Sequence, residues 1–325
     1  MTALRGILGR LAGIVLAILV IATINFTLVH SAPGDPAQVI AGQSGATDEK
    51  FLADLRAEYG LDKPFVVQLG TYLGKIARLD LGYSYRQRRP VTDLILERLG
   101  PTLMLTLSAF FLSLIGGVTF GALAGLRHGR WSDLAISLVA LLLYATPVFW
   151  LGLMLVLVFS IQLDWLPAFG YASMRSADLS GPAYVWDVLK HLFLPAVTLG
   201  AIYMAVYTRL MRASLIEVAA EDHVKTARAK GLGEAAILRG HMLRNAALPV
   251  VAFAGLQVGA LVGGAVVVET VFAWPGLGRL TFDAVTARDY PVLLGIFLVM
   301  SVLVIVVNIL TDLLQRLIDP RIAVR

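Results

Sequence analysis

Six stretches of this chain stay apolar for about 20 residues or more, the length an α-helix needs to cross the hydrocarbon of a bilayer. They run approximately from Ile7 to Val29, Thr102 to Leu126, Leu134 to Ile161, Leu192 to Met211, Ala247 to Val268 and Val292 to Leu314. In lipid each backbone amide must find its partner within its own segment, so every stretch is predicted to be helical. Hydrophobic residues make up 58% of the chain and charged residues 15%, against roughly half and a quarter in soluble domains. The excess is gathered into blocks, which a water-soluble core does not require. The expected fold class is an all-α integral membrane protein with six transmembrane helices.

The first stretch has a competing reading. Arg5, Arg10, an apolar run and Val29-His30-Ser31 before Ala32 have the outline of a signal peptide. The run exceeds the roughly 7–15 residues of such a region, so an uncleaved span is expected. Orientation follows from lysine and arginine in the short loops. With the N-terminus inside, fourteen of these residues fall on the cytosolic side, and the short outer loops hold only Arg175, Lys190, Arg279 and Arg288. Both termini are therefore expected in the cytosol. The net charge of +5 then reflects topology and lipid contact, with no nucleic-acid partner.

Residues 1–30 form the first span, 31–100 an outer helical segment, 101–315 a five-helix core with a cytosolic loop at 213–246, and 316–325 a cytosolic tail. In the outer segment, Pro33-Gly34-Asp35-Pro36 reads as a turn leaving the membrane. Thr47 or Asp48 is placed to cap a helix that runs through Tyr59 and ends at Gly60. A second helical stretch is predicted from Pro64 to Leu79 and a third from Val91 to Leu99, the whole lying on the membrane surface. Gly181-Pro182 and Trp274-Pro275-Gly276 break the other two outer loops.

The chain offers little catalytic chemistry. Cysteine is absent, which removes disulfides and thiolate metal sites. Gly74-Lys75 lacks both the upstream glycine and the following hydroxyl of a phosphate-binding loop. The five histidines show no metal-ligand spacing. Span midsections lack the ionisable groups that ion-coupled carriers keep there. Glu269 and Asp312 sit only near span ends. Glu269 is placed either to line an outer gate or to rest at the interface, satisfied by water or Trp274. With no visible ion-coupling apparatus, energy is expected from outside the chain.

Glycines recur every four residues at Gly117, Gly121 and Gly125, and again at Gly255, Gly259 and Gly263. Small residues at this spacing let another helix approach closely in lipid, either within the bundle or as a face on which a second subunit slides. Pro147 and Pro195 are candidate kinks.

The loop from Glu217 to Pro249 is basic, helix-prone and amphipathic. Ser214–Lys230 is predicted helical, Gly231 and Gly233 interrupt it, and Glu234–Asn245 is predicted to form another helix. Val224, Ala227 and Gly231 fall on one side, with Lys225, Arg228 and Lys230 mostly elsewhere. Such a helix suits a groove in a cytosolic protein; a basic loop resting on anionic lipid is the alternative.

The residues of this loop resemble those of inner-membrane permeases of binding-protein-dependent ABC transporters. The likeness is to the B-type permease subunit of oligopeptide and dipeptide importers. It rests on Asp222-His223-Val224-Lys225-Thr226-Ala227-Arg228-Ala229-Lys230-Gly231-Leu232, then His241, Arg244-Asn245-Ala246 and Leu248-Pro249. Further likeness lies in Asp80-Leu81-Gly82-Tyr83-Ser84, Pro147-Val148-Phe149-Trp150, Trp165-Leu166-Pro167, Glu269-Thr270-Val271-Phe272, Trp274-Pro275-Gly276-Leu277-Gly278 and Arg288-Asp289-Tyr290-Pro291. With Pro33-Gly34-Asp35-Pro36, Gly60-Leu61-Asp62-Lys63-Pro64, Gly263-Gly264-Ala265-Val266 and Asp319-Pro320-Arg321, these cover nearly the whole chain in order.

The resemblance implies a type I importer in the bacterial cytoplasmic membrane. Its parts are a heterodimer with a second homologous permease, two cytosolic ABC ATPases and an external substrate-binding protein. No cofactor is implied in this chain; ATP and Mg belong to the ATPases. Ala220, Asp222, Val224, Lys225, Thr226, Ala227, Arg228, Lys230 and Gly231 would form the element docked on an ATPase. Cargo would be di- or oligopeptides, with nickel, glutathione, opines or other small solutes as alternatives and a stand-alone carrier as a remote one. Two departures stand out: Lys225-Thr226-Ala227 replaces the broad E-A-A consensus before Gly231, and Leu79 stands where many relatives have glycine.

Overall fold

Helices account for almost all the regular structure. The computed structural model describes residues 2–31, 49–58, 62–84 and 86–318. The turn at Pro33–Pro36, the caps Thr47 and Asp48, and the helix end at Tyr59 and Gly60 lie outside the described residues. Two compact units divide the chain, Met1–Gly100 with Gly276–Val306 and Pro101–Pro275 with Val307–Arg325.

The first unit begins with α1 (Thr2–Ser31), α2 (Glu49–Glu58) and α3 (Phe65–Ala77), followed by a hairpin pairing β1 (Tyr83–Ser84) with β2 (Arg89–Pro90). In α1 the hydroxyls of Thr23, Thr27 and Ser31 donate to carbonyls four residues back, so polar side chains in an apolar helix are satisfied locally. Phe26 and Val29 pack with Leu69 and Tyr72 of α3 and with Leu294 of a later helix, α12 (Tyr290–Ile318). A second apolar cluster joins Val91, Leu94 and Ile95, in α4 (Val91–Leu126), to Leu277 and Leu280 of α11 (Leu277–Ala287) and to Val292 and Ile296 of α12.

The predicted short helix Val91–Leu99 and the second span are one continuous helix, α4, which runs through Pro101. Proline removes one amide and crowds the carbonyl four residues earlier, yet in a bilayer protein neighbouring groups can re-satisfy what it frees.

In the second unit the third predicted span is broken. α5 (Trp131–Ala145) and α6 (Val148–Leu155), the latter continued by a π-helical segment Val156–Gln162, meet at 110°. The cause is local: a residue before proline is pushed out of helical geometry, and Thr146 adopts φ −81°, ψ 129° ahead of Pro147. Pro195, by contrast, sits inside an unbroken α7 (Pro182–Ala219). Then follow α8 (Asp222–Ala229), α9 (Glu234–Ile237), a π-helical segment Leu238–Met242 and α10 (Leu243–Val271). Among the described residues, four helices are long and apolar enough to cross a membrane, and the bent pair makes a fifth if taken as one span; α10 covers the fifth predicted stretch. The unit's core gathers Leu105, Ala109, Leu194, Leu199, Leu261 and Trp274.

Candidate functional site

The loop after α7 carries the densest set of sequence-predicted residues, and its geometry starts with two chain breaks. The sequence pattern favours one helix over Ser214–Lys230. Instead α7 stops at Ala219, and Glu221 is extended (φ −72°, ψ 152°). Asp222 occupies the first turn of the new helix and Arg228 the last, each charge opposing the helix dipole at its own end.

The far end is a Schellman closure. Gly231 has φ +78°, its amide donates to the Arg228 carbonyl at 2.9 Å, and the Leu232 amide donates to the Ala227 carbonyl at 3.3 Å. This pairing needs a left-handed residue after the helix, which glycine adopts without a Cβ penalty. The result is an eight-residue helix with fixed ends rather than the tail of a longer one.

Val224 and Ala227 point inward. Both are buried in a cluster with Leu215, Val218, Ile237, Met242, Ala246 and Val250. Burying a valine side chain contributes about 1.5–3 kcal/mol, so this face is spent on holding α8 to the chain. Gly231 is exposed and does not join them. The outward face consists of Asp222, Lys225, Thr226, Arg228 and Lys230, with Ala220 exposed at the entry. Lys225 bonds Asp222 at 2.9 Å and Arg228 bonds Glu234 at 2.9 Å; exposed pairs of this kind add little stability but fix the pattern of charge.

A brace that the pattern did not suggest lies beside them. His223 Nδ1 meets Glu221 Oε2 at 3.0 Å, and the Nε2 atom meets the Asn245 side-chain amide at 3.1 Å. One imidazole thus ties the first turn of α8 to α10. Both residues belong to the quoted motif, but a 22-residue separation gives no periodic signal of contact.

The two glycine stripes differ. A Cβ at Gly117 would collide with Tyr207, and one at Gly121 would lie 2.5 Å from the Thr208 carbonyl and 2.7 Å from Met211 Cβ. At Gly125 it would lie 3.1 Å from Leu215 Cβ. This stripe of α4 is packed against α7 of the same chain. Gly255 is buried, Gly263 is exposed with nothing within 4 Å of an added Cβ, and Gly259 lies outside the residues whose surroundings are described. Glu269 is fully buried and accepts a hydrogen bond from Thr102 at 2.7 Å. Among the described residues, no group of three or more histidines and carboxylates is arranged to hold a metal.

Several helices long and apolar enough to cross a membrane, with a short charged helix held between two long helices, are the elements of a membrane transport subunit. Residues 117–324 match the binding-protein-dependent transport system inner membrane component family, and residues 3–106 match its N-terminal counterpart. The chain belongs to this family. It is 38% identical to the dipeptide transport system permease protein DppB of Alkalihalophilus pseudofirmus, over 92% of this chain and 93% of that one. It is 40% identical to DppB of Escherichia coli K12, over 98% of both chains, and 40% identical to the E. coli glutathione transport system permease protein GsiC, over 98% of this chain and 99% of that one. In fold it is similar to a chain of the inward-facing MetNI methionine ABC transporter, at TM-score 0.56 and 17% identity, covering 70% of this chain and 97% of that one.

The protein is a permease subunit of an ABC importer in the bacterial inner membrane. It is non-catalytic, and its family implies ATPase and substrate-binding-protein partners.

Proposed function

We propose that this chain forms half of the translocation path of an importer for dipeptides or other short peptides. It pairs with a second homologous permease, and two ATPases binding ATP and Mg drive it. Residues Ala220–Gly231 dock on one ATPase. The observation carrying this reading is that α8 has both ends fixed and its apolar face spent inside, with its charged face exposed. A helix so held transmits displacement rather than absorbing it. ATP-driven closure of the ATPases would move α8, the permeases would rock from inward- to outward-open, and the binding protein would release cargo into the path. The named relatives move a dipeptide and glutathione, itself a tripeptide, which favours short peptides as the cargo class.

The chain lacks cysteine, so Thr226→Cys on the outward face gives one unique cross-linking site. With the assembled transporter in membranes, this cysteine is expected to cross-link to an ATPase, and uptake of a labelled dipeptide is expected to require both ATP and the binding protein. Dipeptide uptake without ATP, or a cross-link absent from a functional complex, overturns the reading.

A further inference from the structure

Seventy-nine residues separate Asp133 from Arg212 in sequence, yet the two are joined side by side. The Arg212 guanidinium grips both carboxylate oxygens, Nε to Oδ1 at 2.5 Å and a terminal nitrogen to Oδ2 at 2.8 Å. Asp133 is 4% exposed. Its remaining lone pairs are also used: the Gly129 amide donates to Oδ2 at 3.0 Å and the Ser137 hydroxyl to Oδ1 at 3.3 Å. His128 Nδ1 lies 3.3 Å from Oδ2 and 3.1 Å from the Arg212 terminal nitrogen, so either tautomer makes one further bond. Gly129 presents its amide from a left-handed turn, φ +78°, which favours glycine.

The position of this pair gives it a mechanical meaning. Asp133 lies in the first turn of α5, directly after the turn that ends α4, and Arg212 lies near the end of α7. Where the pair forms, α4 and α7 are already in close contact through Gly121 and Gly125, with an added Cβ at Gly125 only 3.3 Å from the Arg212 carbonyl. Beyond Arg212, α7 continues through Leu215 and Val218, which share an apolar cluster with Val224 and Ala227 of α8. A contiguous path therefore runs from α8 into α7 and across the ion pair to α4 and α5. A bidentate guanidinium–carboxylate contact is rigid and directional, so it is either made or broken and does not stretch.

We infer that Asp133 and Arg212 are positioning residues for energy coupling, a clamp that makes the α4–α5 turn, the end of α7 and α8 move as one body. This rests on the reading of α8 as the ATPase-docked element. Without the clamp, a push on α8 would bend the end of α7 instead of carrying α4 and α5 with it.

The test uses the complete transporter in proteoliposomes. Asp133→Asn and Arg212→Gln are expected to lower the peptide moved per ATP hydrolysed by roughly threefold or more, the scale of coupling carried through a packed network, in complexes that still assemble. Arg212→Lys, which keeps the charge but not the fork, is expected to fall between them and the unaltered protein. An unchanged transport-to-hydrolysis ratio in both neutral variants overturns the clamp.

A second measurement does not depend on those variants folding. Spin labels at Trp131→Cys and Glu217→Cys, both exposed, report the distance across the clamp in an otherwise unaltered chain. The distance distribution is expected to be the same in ATP-free and ATP-trapped complexes, and a shift between them overturns the proposal. This intrachain distance is blind to where the ATPase docks. Failure of the docking reading shows instead as a missing Thr226→Cys cross-link.

Discussion

Thr102 donates its hydroxyl to the Glu269 carboxylate at 2.7 Å, and both side chains are fully buried. One residue earlier, the Pro101 carbonyl accepts the indole N–H of Trp274 at 2.9 Å. Two bonds from adjacent residues of α4 thus reach the end of α10 and the turn after it, at the place where proline disturbs the helix. Thr102→Val keeps the shape and removes one donor from a buried carboxylate, a loss of about 1–3 kcal/mol. Thermal unfolding of the purified protein should show a lower midpoint for Thr102→Val and a value near the unaltered protein for Thr102→Ser. Equal midpoints for the two variants would show that the hydroxyl does no stabilising work.

The glycine stripes give a second contrast. Gly121→Val places carbon where the Thr208 carbonyl and Met211 already sit, so α4 and α7 must separate. Overpacking of this kind typically costs about 1–3 kcal/mol and occasionally more, and here it falls on backbone, which cannot rotate away. Gly263→Ala meets open space and should leave yield and thermal midpoint unchanged. Comparing the two variants by expression and size-exclusion profile separates a packing glycine from one whose side is free in the isolated chain.

How legible this was from sequence depends on the kind of information needed. Long apolar runs announced the helices, because hydrocarbon length and amide satisfaction leave few choices. The bend at Pro147 and the glycine closure at Gly231 were readable because proline and glycine act on their own neighbours. The break between Ala219 and Asp222 was not: Ala220 and Glu221 are both compatible with helix, and the chain departs there so that Val224 can reach the cluster around Ile237 and Met242. The junction at Pro101 was not legible either: Val91–Leu99 and Thr102–Leu126 were expected as separate stretches, and one helix runs through both. Arg212 was legible only as a positive charge marking topology, and Asp133 carried no signal, because a partner 79 residues away leaves no periodicity. Glu269 was placed by hydropathy near a span end; its bond to Thr102 is tertiary information.

Leu79 offers a test of local strain. Its φ is +58°, and it is 85% exposed, so a leucine occupies a left-handed turn without burial to offset the cost. For an L-residue that conformation costs roughly 1–2 kcal/mol. Leu79→Gly relieves it at the expense of greater freedom in the unfolded chain, and should raise stability by up to about 1 kcal/mol. A higher thermal midpoint for Leu79→Gly with unchanged transport is the expected result; a lower midpoint would mean that the strain is illusory or that the leucine has a contact in the membrane.

At Gly231 the reasoning reverses. Nothing lies within 4 Å of an added Cβ, but φ is +78°, so substitutions there are strained by backbone rather than crowding. Gly231→Val should open the Schellman closure and loosen the end of α8, lowering ATP-coupled uptake while the complex still assembles. Gly231→Asn, which tolerates left-handed geometry, should retain most uptake. Full uptake by the valine variant would count against a rigid α8 as the coupling element.

The last prediction concerns Asp289, between α11 and α12, which accepts a hydrogen bond from the Ser84 hydroxyl. Burial pushes its carboxyl above the ordinary value of 3.8, against the opposing effects of the Ser84 bond, the Val292 amide and Arg86. A carboxyl with a raised native pKa keeps its proton in the folded state after the unfolded chain has lost it. Between the ordinary value and the raised one, the folded state binds more protons, so stability falls as pH rises through that window. Above the window the ionised carboxylate remains as a constant cost. Asp289→Asn retains an acceptor for Ser84 and removes the titration. Thermal midpoints of the two proteins from roughly pH 4 to pH 8 should therefore give a difference, unaltered minus variant, that declines with pH and then levels off. A difference that climbs with pH would mean that the Ser84 and Arg86 contacts outweigh burial and that the carboxylate is the form the fold prefers.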